Sequence, residues 1–331
     1  MTEGGRVLLA DIGGTHARFA LAGRDGLPLA PSVWLTSLYG GLDEALAAFL
    51  DQQGRPRLAG VAVCAAGPVQ GIGAEARIAM VNCPWVVDAR AVAAATGIAA
   101  PALVNDFAAV ALALPHLTAT DWEQIGGGHA DPMAPMAALG PGTGLGVAGL
   151  VPVPEPSGAV TRHLPVPGEG GHVSLAPGNE REISLLFQLM QTFGHVSAER
   201  VLCGPGLENL YAALGALDGA AEIGQPTAAD IARMAADASS PVAREAVAIF
   251  TGLLGSVAGD VALTLGAKGG VYLAGGILPR WGDLFDRRLF RRRFEAKGRF
   301  RTYLEPIPVR LITRQDPALV GLAALAWSRA G

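Results

Sequence analysis

The chain has 331 residues, with 25 Lys or Arg and 29 Asp or Glu side chains and a formal net charge of −4. Half of the residues are hydrophobic and 16% are charged, which excludes a disordered chain and provides the core of one large α/β unit or two domains. The mild acidity argues against a nucleic-acid or anionic-membrane partner.

The three cysteines, Cys64, Cys83 and Cys203, are widely separated and form neither a disulfide framework nor a CxxC zinc pair. This usage is typical of a reducing compartment, and the N-terminal residues lack the pattern of a signal peptide. The longest uncharged window, Pro132–Pro154, contains five prolines and five glycines, so it does not predict a single membrane-spanning helix. We therefore expect a cytoplasmic protein with no membrane partner.

Alternation and turn residues predict the elements of the first half in chain order. Strands are expected at Arg6–Asp11, His16–Ala22, Leu58–Ala65 and Ala102–Val104. Helices are expected at Asp43–Gln53, between Asp88 and Gly97, and at Phe107–Leu114, the last stopped by Pro115. Met136–Val151 has the same pattern as the first two predicted strands and their turn, with an apolar run on each side of a glycine-rich turn. This similarity indicates an internal repeat.

The second half is predicted to be mostly helical. Thr227 and Asp230 resemble a capping box for the third of its helices. The expected helices are Glu180–Phe193, Pro205–Ala213, Ile231–Ala238, Pro241–Leu265 and Asp316–Arg329, with a further helix opening at Ser197-Ala198-Glu199. Two short strands are expected at Val271–Ala274 and Val309–Ile312.

The first chemical motif is the turn Asp11-Ile12-Gly13-Gly14-Thr15. Two glycines allow a tight turn that brings backbone N–H groups close to an oxyanion, and Thr15 adds a hydroxyl donor. An Asp at the strand end repels phosphate unless a cation lies between them, so the motif favours a magnesium-bound polyphosphate, with Asp11 holding Mg²⁺ directly or through water. A plain hairpin with polar turn residues is the alternative.

A second turn, Gly140-Pro141-Gly142-Thr143-Gly144, follows another apolar strand. The two turns together indicate a clamp on both sides of one triphosphate. Gly144, Gly146 and Gly149 match GxGxxG, but a strand ending at Pro152 follows them instead of a helix, which argues against a dinucleotide fold.

Three further segments carry polar groups in unusual settings. Asn105-Asp106 lies between a strand and a helix, where Asp106 is either a catalytic group or an N-cap. Glu169 and His172 in Gly168-Glu169-Gly170-Gly171-His172 suit hydrogen bonding to a polyhydroxylated ligand, or form a solvated loop. Gly275-Gly276 allows close approach of a flat ring such as adenine, or makes a tight connection.

The arginine cluster Arg287–Arg293 lies in a predicted helix and is interpreted as a solvated face.

These residues together resemble the bacterial glucokinases of the hexokinase-like, zinc-free type, within the actin/Hsp70/sugar-kinase ATPase superfamily. The stretches LPxxGEGGHV, GHVSAERVLCGPGLENLY and GGVYLAGGILPR are long enough to be specific. The matching segments follow family order along nearly the whole chain: Ala10–Arg18, Val104–Ala109, Gly142–Val151, Leu164–Pro177, Gly194–Tyr211, Gly269–Arg280 and Phe294–Tyr303.

The resemblance implies an α/β fold with two actin-like, ribonuclease H-like domains. Each is built on a mixed five-stranded sheet flanked by helices, with a cleft between them. The small domain is expected at 1–115 plus 314–331 and the large domain at 116–313. The implied activity is phosphorylation of glucose at its 6-hydroxyl by Mg²⁺-ATP, in a homodimer.

The resemblance also implies the roles of individual residues. Asp106 falls at the general-base position, and the sugar-binding positions are Asn105, Asp106, Glu169, His172 and Glu199. The nucleotide-binding positions are Ala10, Asp11, Ile12, Gly13, Gly14, Thr15, Gly142, Thr143, Gly144, Gly275 and Gly276, with Mg²⁺ held by Asp11 through water.

Other functions remain as alternatives. A kinase of mannose, fructose or an amino sugar needs the same arrangement. A sugar-responsive repressor is disfavoured because only five residues precede the first predicted strand, which leaves no room for a helix-turn-helix. A chaperone-like ATPase does not account for Glu169, His172 and Glu199.

Overall fold

A computed structural model describes residues 5–80, 83–219 and 224–330. The strands are β1 Arg6–Ile12, β2 His16–Ala22, β3 Ser32–Leu35, β4 Leu58–Ala65, β5 Val69–Gln70, β6 Arg77–Ala79, β7 Val86–Asp88, β8 Ala102–Asn105, β9 Trp122–Ile125, β10 Met136–Pro141, β11 Leu145–Pro154, β12 Val160–Gly168, β13 Gly270–Leu273 and β14 Val309–Ile312. The α-helices are α1 Leu42–Gln52, α2 Ala89–Thr96, α3 Asp106–Ala113, α4 Glu180–Phe193, α5 Gly204–Leu217, α6 Ala228–Ala236, α7 Pro241–Leu265, α8 Ile277–Trp281, α9 Arg287–Glu295, α10 Arg301–Leu304 and α11 Pro317–Ala330.

The described residues fall into two compact units. Met1–Thr118 and Arg314–Gly331 contribute to unit 1, and Ala119–Thr313 forms unit 2. That these units are the two functional domains expected from the sequence stays a prediction.

Unit 1 is built on a five-stranded mixed sheet in the order β3-β2-β1-β4-β8. Strands β1, β4 and β8 run parallel, while β2 and β3 are antiparallel to their neighbours. Ile12 pairs with Ala65, and Ala65 pairs with Asn105, so the three parallel strands end in one row. Polar groups that follow these strands therefore meet at one edge of the sheet.

Helices cover both faces of the unit 1 sheet. Phe19 of β2 stacks on Phe49 of α1 with 5.4 Å between ring centroids, in a core of buried aliphatic side chains. Helix α11 contacts β1, β4 and α3. Gly321 of α11 lies directly against the backbone of Ala109 and Ala113 in α3, so α3 and α11 pack more closely than a side chain would allow.

A small antiparallel sheet, β5-β6-β7, belongs to the same unit and was not predicted from the sequence. It leads into α2, whose predicted boundaries are confirmed. Asp88 accepts hydrogen bonds from the N–H groups of Arg90 and Ala91, and Gly97 ends the helix with φ +74°.

Unit 2 contains a six-stranded sheet in the order β12-β11-β10-β13-β14-β9, so the expected five-stranded sheet is wrong for this unit. The added strand is β9, which pairs antiparallel with β14 at the sheet edge. The other five strands repeat the order and directions of the unit 1 sheet. The internal repeat suggested by the two glycine turns is therefore present as repeated topology.

The long helix α7 forms much of the unit 2 core. It begins after the N-cap Ser240 and ends at Gly266, as the sequence predicts. Its length and apolar composition would suffice to cross a membrane, but 67% of its apolar window is buried inside the protein. Gly255 and Gly259 admit the carbonyl oxygens of α9, so α7 packs as a core helix.

The predicted capping box is confirmed, because the Thr227 side chain and the Asp230 carboxylate each accept the other's backbone N–H. The expectation that the arginines of α9 form a solvated face holds for Arg288 and Arg292, which are exposed, and is wrong for the other three. Arg293 pairs with Glu182 and Arg287 with Glu123, while Arg291 is buried and donates to the carbonyl oxygen of Ile307. These arginines stabilise the packing of α9 instead of facing solvent.

Candidate active site

The first glycine hairpin joins β1 and β2 in unit 1. The N–H of Gly13 donates to the carbonyl oxygen of His16 over 2.9 Å. The Thr36 hydroxyl donates to Gly14 O over 3.0 Å, and its backbone N–H donates to Thr15 O over 3.0 Å. Thr36 is buried and fixes the turn from outside. No sequence motif identifies Thr36 as part of the hairpin, because it lies 21 residues after Thr15 along the chain.

Asp11 lies on β1 just before this turn. The thiol of Cys64 donates to its Oδ1 over 3.4 Å, and Arg18 Nη1 lies 3.6 Å from its Oδ2. Arg18 Nε pairs in turn with Asp316 at 2.9 Å. Burial raises the pKa of the Asp11 carboxyl, with Arg18 and Cys64 opposing the shift. The carboxylate is thus held in place beside the hairpin, and a bound cation would favour its charged form.

The side chains of Ala10 and Ile12 are fully buried in the core. Their predicted role in nucleotide binding is therefore limited to the backbone, whereas Thr15 of the turn is exposed.

Asn105, not Asp106, is the N-cap of α3, which corrects one interpretation of this pair. Asn105 Oδ1 accepts hydrogen bonds from Phe107 N at 2.9 Å and Ala108 N at 3.3 Å, and its Nδ2 donates to Gly67 O. Asp106 is the first helical residue, and its Oδ1 accepts from Phe107 N over 2.8 Å. The helix N-terminus therefore favours a charged carboxylate at Asp106.

Asp11 and Asp106 lie at the same edge of the sheet, on either side of β4. Asp11 pairs in register with Cys64, and Asp106 follows the β8 residue that pairs with Ala65. Burial, reinforced by the charges of Asp11 and Asp106, raises the pKa of the Cys64 thiol well above its ordinary value. Two of the predicted functional carboxylates are therefore neighbours within unit 1.

The second glycine hairpin joins β10 and β11 in unit 2. Gly142 N donates to Gly144 O over 2.8 Å, and Gly142 O accepts from Gly204 N over 2.9 Å. The side chain of Thr143 is exposed.

The Gly275-Gly276 turn lies against this hairpin. Gly275 has φ +86°, and a Cβ there would lie 3.1 Å from the carbonyl carbon of Pro141. Gly276 is exposed and precedes α8. The structure therefore brings the predicted phosphate and adenosine segments of unit 2 together.

Three predicted sugar-binding residues meet beside the same hairpin. Glu169 precedes a 3₁₀ turn that ends at His172, and the N–H of His172 donates to Glu169 O. The carboxylate of Glu199 accepts from Leu145 N at 2.9 Å, and its other oxygen lies 3.9 Å from His172 Nδ1. The sequence did not single out Leu145, because its contribution is a backbone N–H.

The helix expected to open at Ser197 is absent. Ser197 forms a bridge with Ser174, and Glu199 lies in a turn before α5. The N–H of Glu199 donates to Gly171 O over 2.8 Å. Pairing with a distant segment therefore decides the local conformation.

Within the described ranges, no group of three or more His, Cys, Asp or Glu side chains is placed to hold a metal ion. A Mg²⁺ site needs no such cage, since this ion is commonly held by one or two carboxylates together with substrate phosphates. Asp11 supplies a carboxylate of this kind next to a glycine turn.

The predicted site residues divide between the two units. Unit 1 holds Ala10–Thr15, Asn105 and Asp106; unit 2 holds Gly142–Gly144, Glu169, His172, Glu199, Gly275 and Gly276. Each set is gathered within its own unit, and the meeting of the two sets stays a prediction.

Comparison with known proteins identifies the family. The glucokinase family model matches residues 8–329. A glucokinase of Chromobacterium violaceum is 47% identical over 317 residues, covering 96% of this chain and 88% of the relative. The crystal structure of a glucokinase from an Antarctic psychrotroph superposes with a TM-score of 0.86 at 32% identity, covering 98% of this chain and 99% of that one.

A ROK family glucokinase from Streptomyces griseus, solved in complex with glucose and AMPPNP, shares the fold. Its TM-score is 0.63 at 19% identity, with 98% of this chain and 100% of that chain covered. The α/β fold with mixed sheets is accordingly that of the actin-like sugar kinases, and the resemblance inferred from the sequence motifs is confirmed. The chain belongs to the glucokinase family of enzymes that phosphorylate glucose with ATP.

Proposed function

We propose that this chain transfers the γ-phosphoryl group of ATP to the 6-hydroxyl of glucose, with Asp106 as the general base. The observation that carries the assignment is the position of Asp106. It is the first residue of α3, at the edge of the sheet where β1, β4 and β8 end, beside Asp11. A carboxylate there accepts the hydroxyl proton as the O–P bond forms.

The sugar is assigned to Asn105, Asp106, Glu169, His172 and Glu199. Carboxylates accept hydrogen bonds from ring hydroxyls, and an analogue that lacks a hydroxyl leaves them unpaired, which provides selectivity. Asn105 directs its amide at the backbone of α3 and at Gly67, so we assign it to positioning Asp106 as well as to the sugar.

The nucleotide is assigned to the two glycine hairpins. Each hairpin is closed by the N–H of its first glycine, Gly13 or Gly142, and is pinned through a carbonyl by Thr36 or Gly204. The remaining N–H groups and the exposed Thr15 and Thr143 suit the β- and γ-phosphates.

Mg²⁺ fits the carboxylate of Asp11 and neutralises phosphate charge when bound. Gly275 and Gly276 suit close approach of the adenosine.

Each unit holds part of this machinery, so the proposed reaction requires the two domains to close over the substrates. Closure would exclude water that otherwise accepts the phosphoryl group.

The test of Asp106 is its replacement by Asn, which keeps the side-chain shape and the helix contacts but removes the base. We expect kcat to fall about 10³-fold, within the range for general-base catalysis, while the glucose Kd from calorimetry changes only a few-fold. Asp25→Asn, at an exposed turn, is the control. Normal turnover in Asp106→Asn would remove this residue from the mechanism.

A panel of glucose, mannose, fructose and amino sugars, with phosphate transfer followed directly, tests the sugar assignment. If turnover is faster with another hexose at equal concentration, that hexose replaces glucose as the proposed substrate. Binding without transfer to any sugar would favour a non-catalytic regulator.

We also propose a cytoplasmic homodimer whose interface includes one face of α4. Ile183, Phe187 and Met190 are 55%, 65% and 49% exposed at helical spacing. The charged residues of α4 are confined to its first turn, so the exposed face around Phe187 is apolar. The same apolar face on a second copy of the chain is complementary to it, as a two-fold interface requires.

Light scattering of the purified protein measures the oligomeric state. We expect a dimer that becomes monomeric on Phe187→Glu. Ile72→Glu, an equally polar change at an exposed apolar residue of unit 1, should leave the dimer intact. A dimer that survives Phe187→Glu would place the interface elsewhere.

A further inference from the structure

The side chain of Glu199 contacts two segments of unit 2. One is the second glycine hairpin, Gly140–Gly144, called the phosphate hairpin below, and the other is the loop Gly168–His172, called the sugar loop. Oε2 of Glu199 accepts the N–H of Leu145, the first residue of β11, over 2.9 Å. Its Oε1 lies 3.9 Å from Nδ1 of His172. Its backbone N–H donates to Gly171 O over 2.8 Å. One carboxylate therefore contacts the hairpin with one oxygen and faces the sugar loop with the other.

The carboxylate of Glu199 lies directly against the hairpin at Gly144. A Cβ on Gly144 would lie 3.2 Å from Glu199 Cδ and nearer still to Oε2, so the carboxylate occupies the space that a side chain would take. The hairpin is also bonded to the first residue of α5, because Gly204 N donates to Gly142 O. The hairpin is therefore contacted both by the carboxylate and by the start of α5.

The backbone of Glu199 is fixed from its other side by the start of α5. The thiol of Cys203 donates to Glu199 O over 3.0 Å and accepts from Gly206 N over 3.3 Å. Burial raises the pKa of Cys203 to about 11, so the thiol remains a donor at neutral pH. With its backbone held, Glu199 transmits a change at one carboxylate oxygen to the other.

We propose that Glu199 is a positioning residue that couples sugar binding to nucleotide binding. A sugar hydroxyl on Oε1 fixes the carboxylate, and Oε2 then holds Leu145 and the hairpin in the conformation that receives the phosphates. This inference rests on the proposed function, which assigns the sugar and the phosphates to these groups. Because coupling is reciprocal, the nucleotide must tighten sugar binding by the same factor.

Two substitutions at Glu199 separate the effect of side-chain length from the effect of charge. Glu199→Gln keeps the length and an oxygen that can accept the Leu145 N–H. Glu199→Asp keeps the charge but is shorter by one methylene, about 1.5 Å, so it loses the bond to Leu145. We expect Gln to preserve the coupling while weakening glucose binding, and Asp to abolish the coupling.

Isothermal titration calorimetry gives the coupling factor as the ratio of glucose Kd values without and with Mg²⁺-AMPPNP, and the reverse titration checks reciprocity. We expect about fivefold or more in the wild type, about the same factor in Glu199→Gln, and a factor of about one in Glu199→Asp. Coupling retained in Asp, lost in Gln, or absent from the wild type would overturn the proposal.

Gly144→Ala provides a second route if glucose binding to Glu199→Gln is too weak to measure. It leaves every carboxylate in the chain but displaces Glu199 from the hairpin, so we expect both ligands to bind more weakly and the coupling factor to fall to about one. Gly127→Ala, at an exposed loop glycine where a Cβ meets open space, should retain full coupling. Circular dichroism verifies that each variant is folded.

The two proposals fail in different ways. A wild-type protein that does not phosphorylate glucose would contradict the proposed function. A wild-type protein that phosphorylates glucose, but that shows no coupling or keeps its coupling in Glu199→Asp, would contradict this inference alone.

Discussion

Replacement of Gly321 by Ala tests the close packing of α11 against α3. A Cβ at this position would lie 2.8 Å from Ala113 N and 3.0 Å from the carbonyl carbon of Ala109. The carbonyl oxygen of Ala109 would lie closer still. Ordinary contacts begin near 3.4 Å, so the two helices must separate by about 1.5 Å. All three neighbours are backbone atoms, which cannot rotate away.

Two effects of opposite sign compete in this variant. Ala has a higher helix propensity than Gly by about 1 kcal/mol, which favours the variant. Overpacking costs about 1–3 kcal/mol, and the rigid backbone on both sides places this contact at the upper end. We therefore expect a net loss of about 2 kcal/mol in the free energy of unfolding of unit 1.

Urea unfolding followed by tryptophan fluorescence measures this loss, since Trp327 lies on α11 itself. With a slope of about 2 kcal/mol per molar, the midpoint should fall by about 1 M. The matched pair Ser328→Gly and Ser328→Ala, at an exposed position of the same helix, measures helix propensity without the contact.

The same variant should also impair catalysis, because Ala109 and Asp106 belong to the same short helix. A displacement of about half an ångström at the general base should lower kcat about tenfold. If Gly321→Ala is instead more stable than the wild type, by the difference found between Ala and Gly at 328, the tight contact does not exist and the reasoning fails.

Two further variants test the electrostatics and the nucleotide site of unit 2. Glu182 is buried, and the bonds from Arg293, Gly178 and Asn179 outweigh the cost of burial and lower its pKa, so Glu182→Gln should cost about 3 kcal/mol at neutral pH. The charged Glu182 carboxylate stabilises the fold above its unfolded pKa of about 4.3, and this stabilisation is lost as the pH falls through its folded pKa. The urea midpoints of variant and wild type should therefore converge in acid. A difference in midpoint that does not change with pH would contradict this expectation. Gly275→Ala should raise the KM for ATP about tenfold with little change for glucose, because both φ and the Pro141 carbonyl oppose a side chain. Gly282→Ala, which shares a positive φ but meets open space, should leave that KM unchanged, and equal effects of the two variants would exclude a specific role for Gly275.

The elements bounded by local signals were predictable from the sequence. Strands His16–Ala22 and Leu58–Ala65 and helices Glu180–Phe193 and Pro241–Leu265 have the predicted ends. Gly194 and Gly266 end the two helices, and glycine at such positions acts through its own backbone conformation.

The errors share a dependence on distant partners. Strand β9 exists because it pairs with β14, nearly 190 residues away along the chain. The Ser197 turn is imposed by pairing with Ser174. Asn105 takes the cap in place of Asp106 because its amide also reaches Gly67. Such choices are made by tertiary contacts, which local propensity does not encode.

The site shows the same division. Motif spacing singled out the glycine hairpins, Asp106 and Glu169, and the family resemblance added Glu199; the roles of these residues stay predictions. Thr36, Leu145 and Gly171 contribute hydrogen bonds that hold these groups in place. Two of the three act through backbone atoms, so their residue types carry no signature.

The discontinuity of unit 1 bears on how the molecule is made. Its sheet is complete by Asn105, yet α11, which covers β1, β4 and α3, is the last helix in the chain. During synthesis from the N-terminus, those apolar surfaces emerge from the ribosome roughly two hundred residues before their cover, whereas unit 2 is continuous. Unit 2 can therefore fold before unit 1, whose core is completed only when α11 has been released.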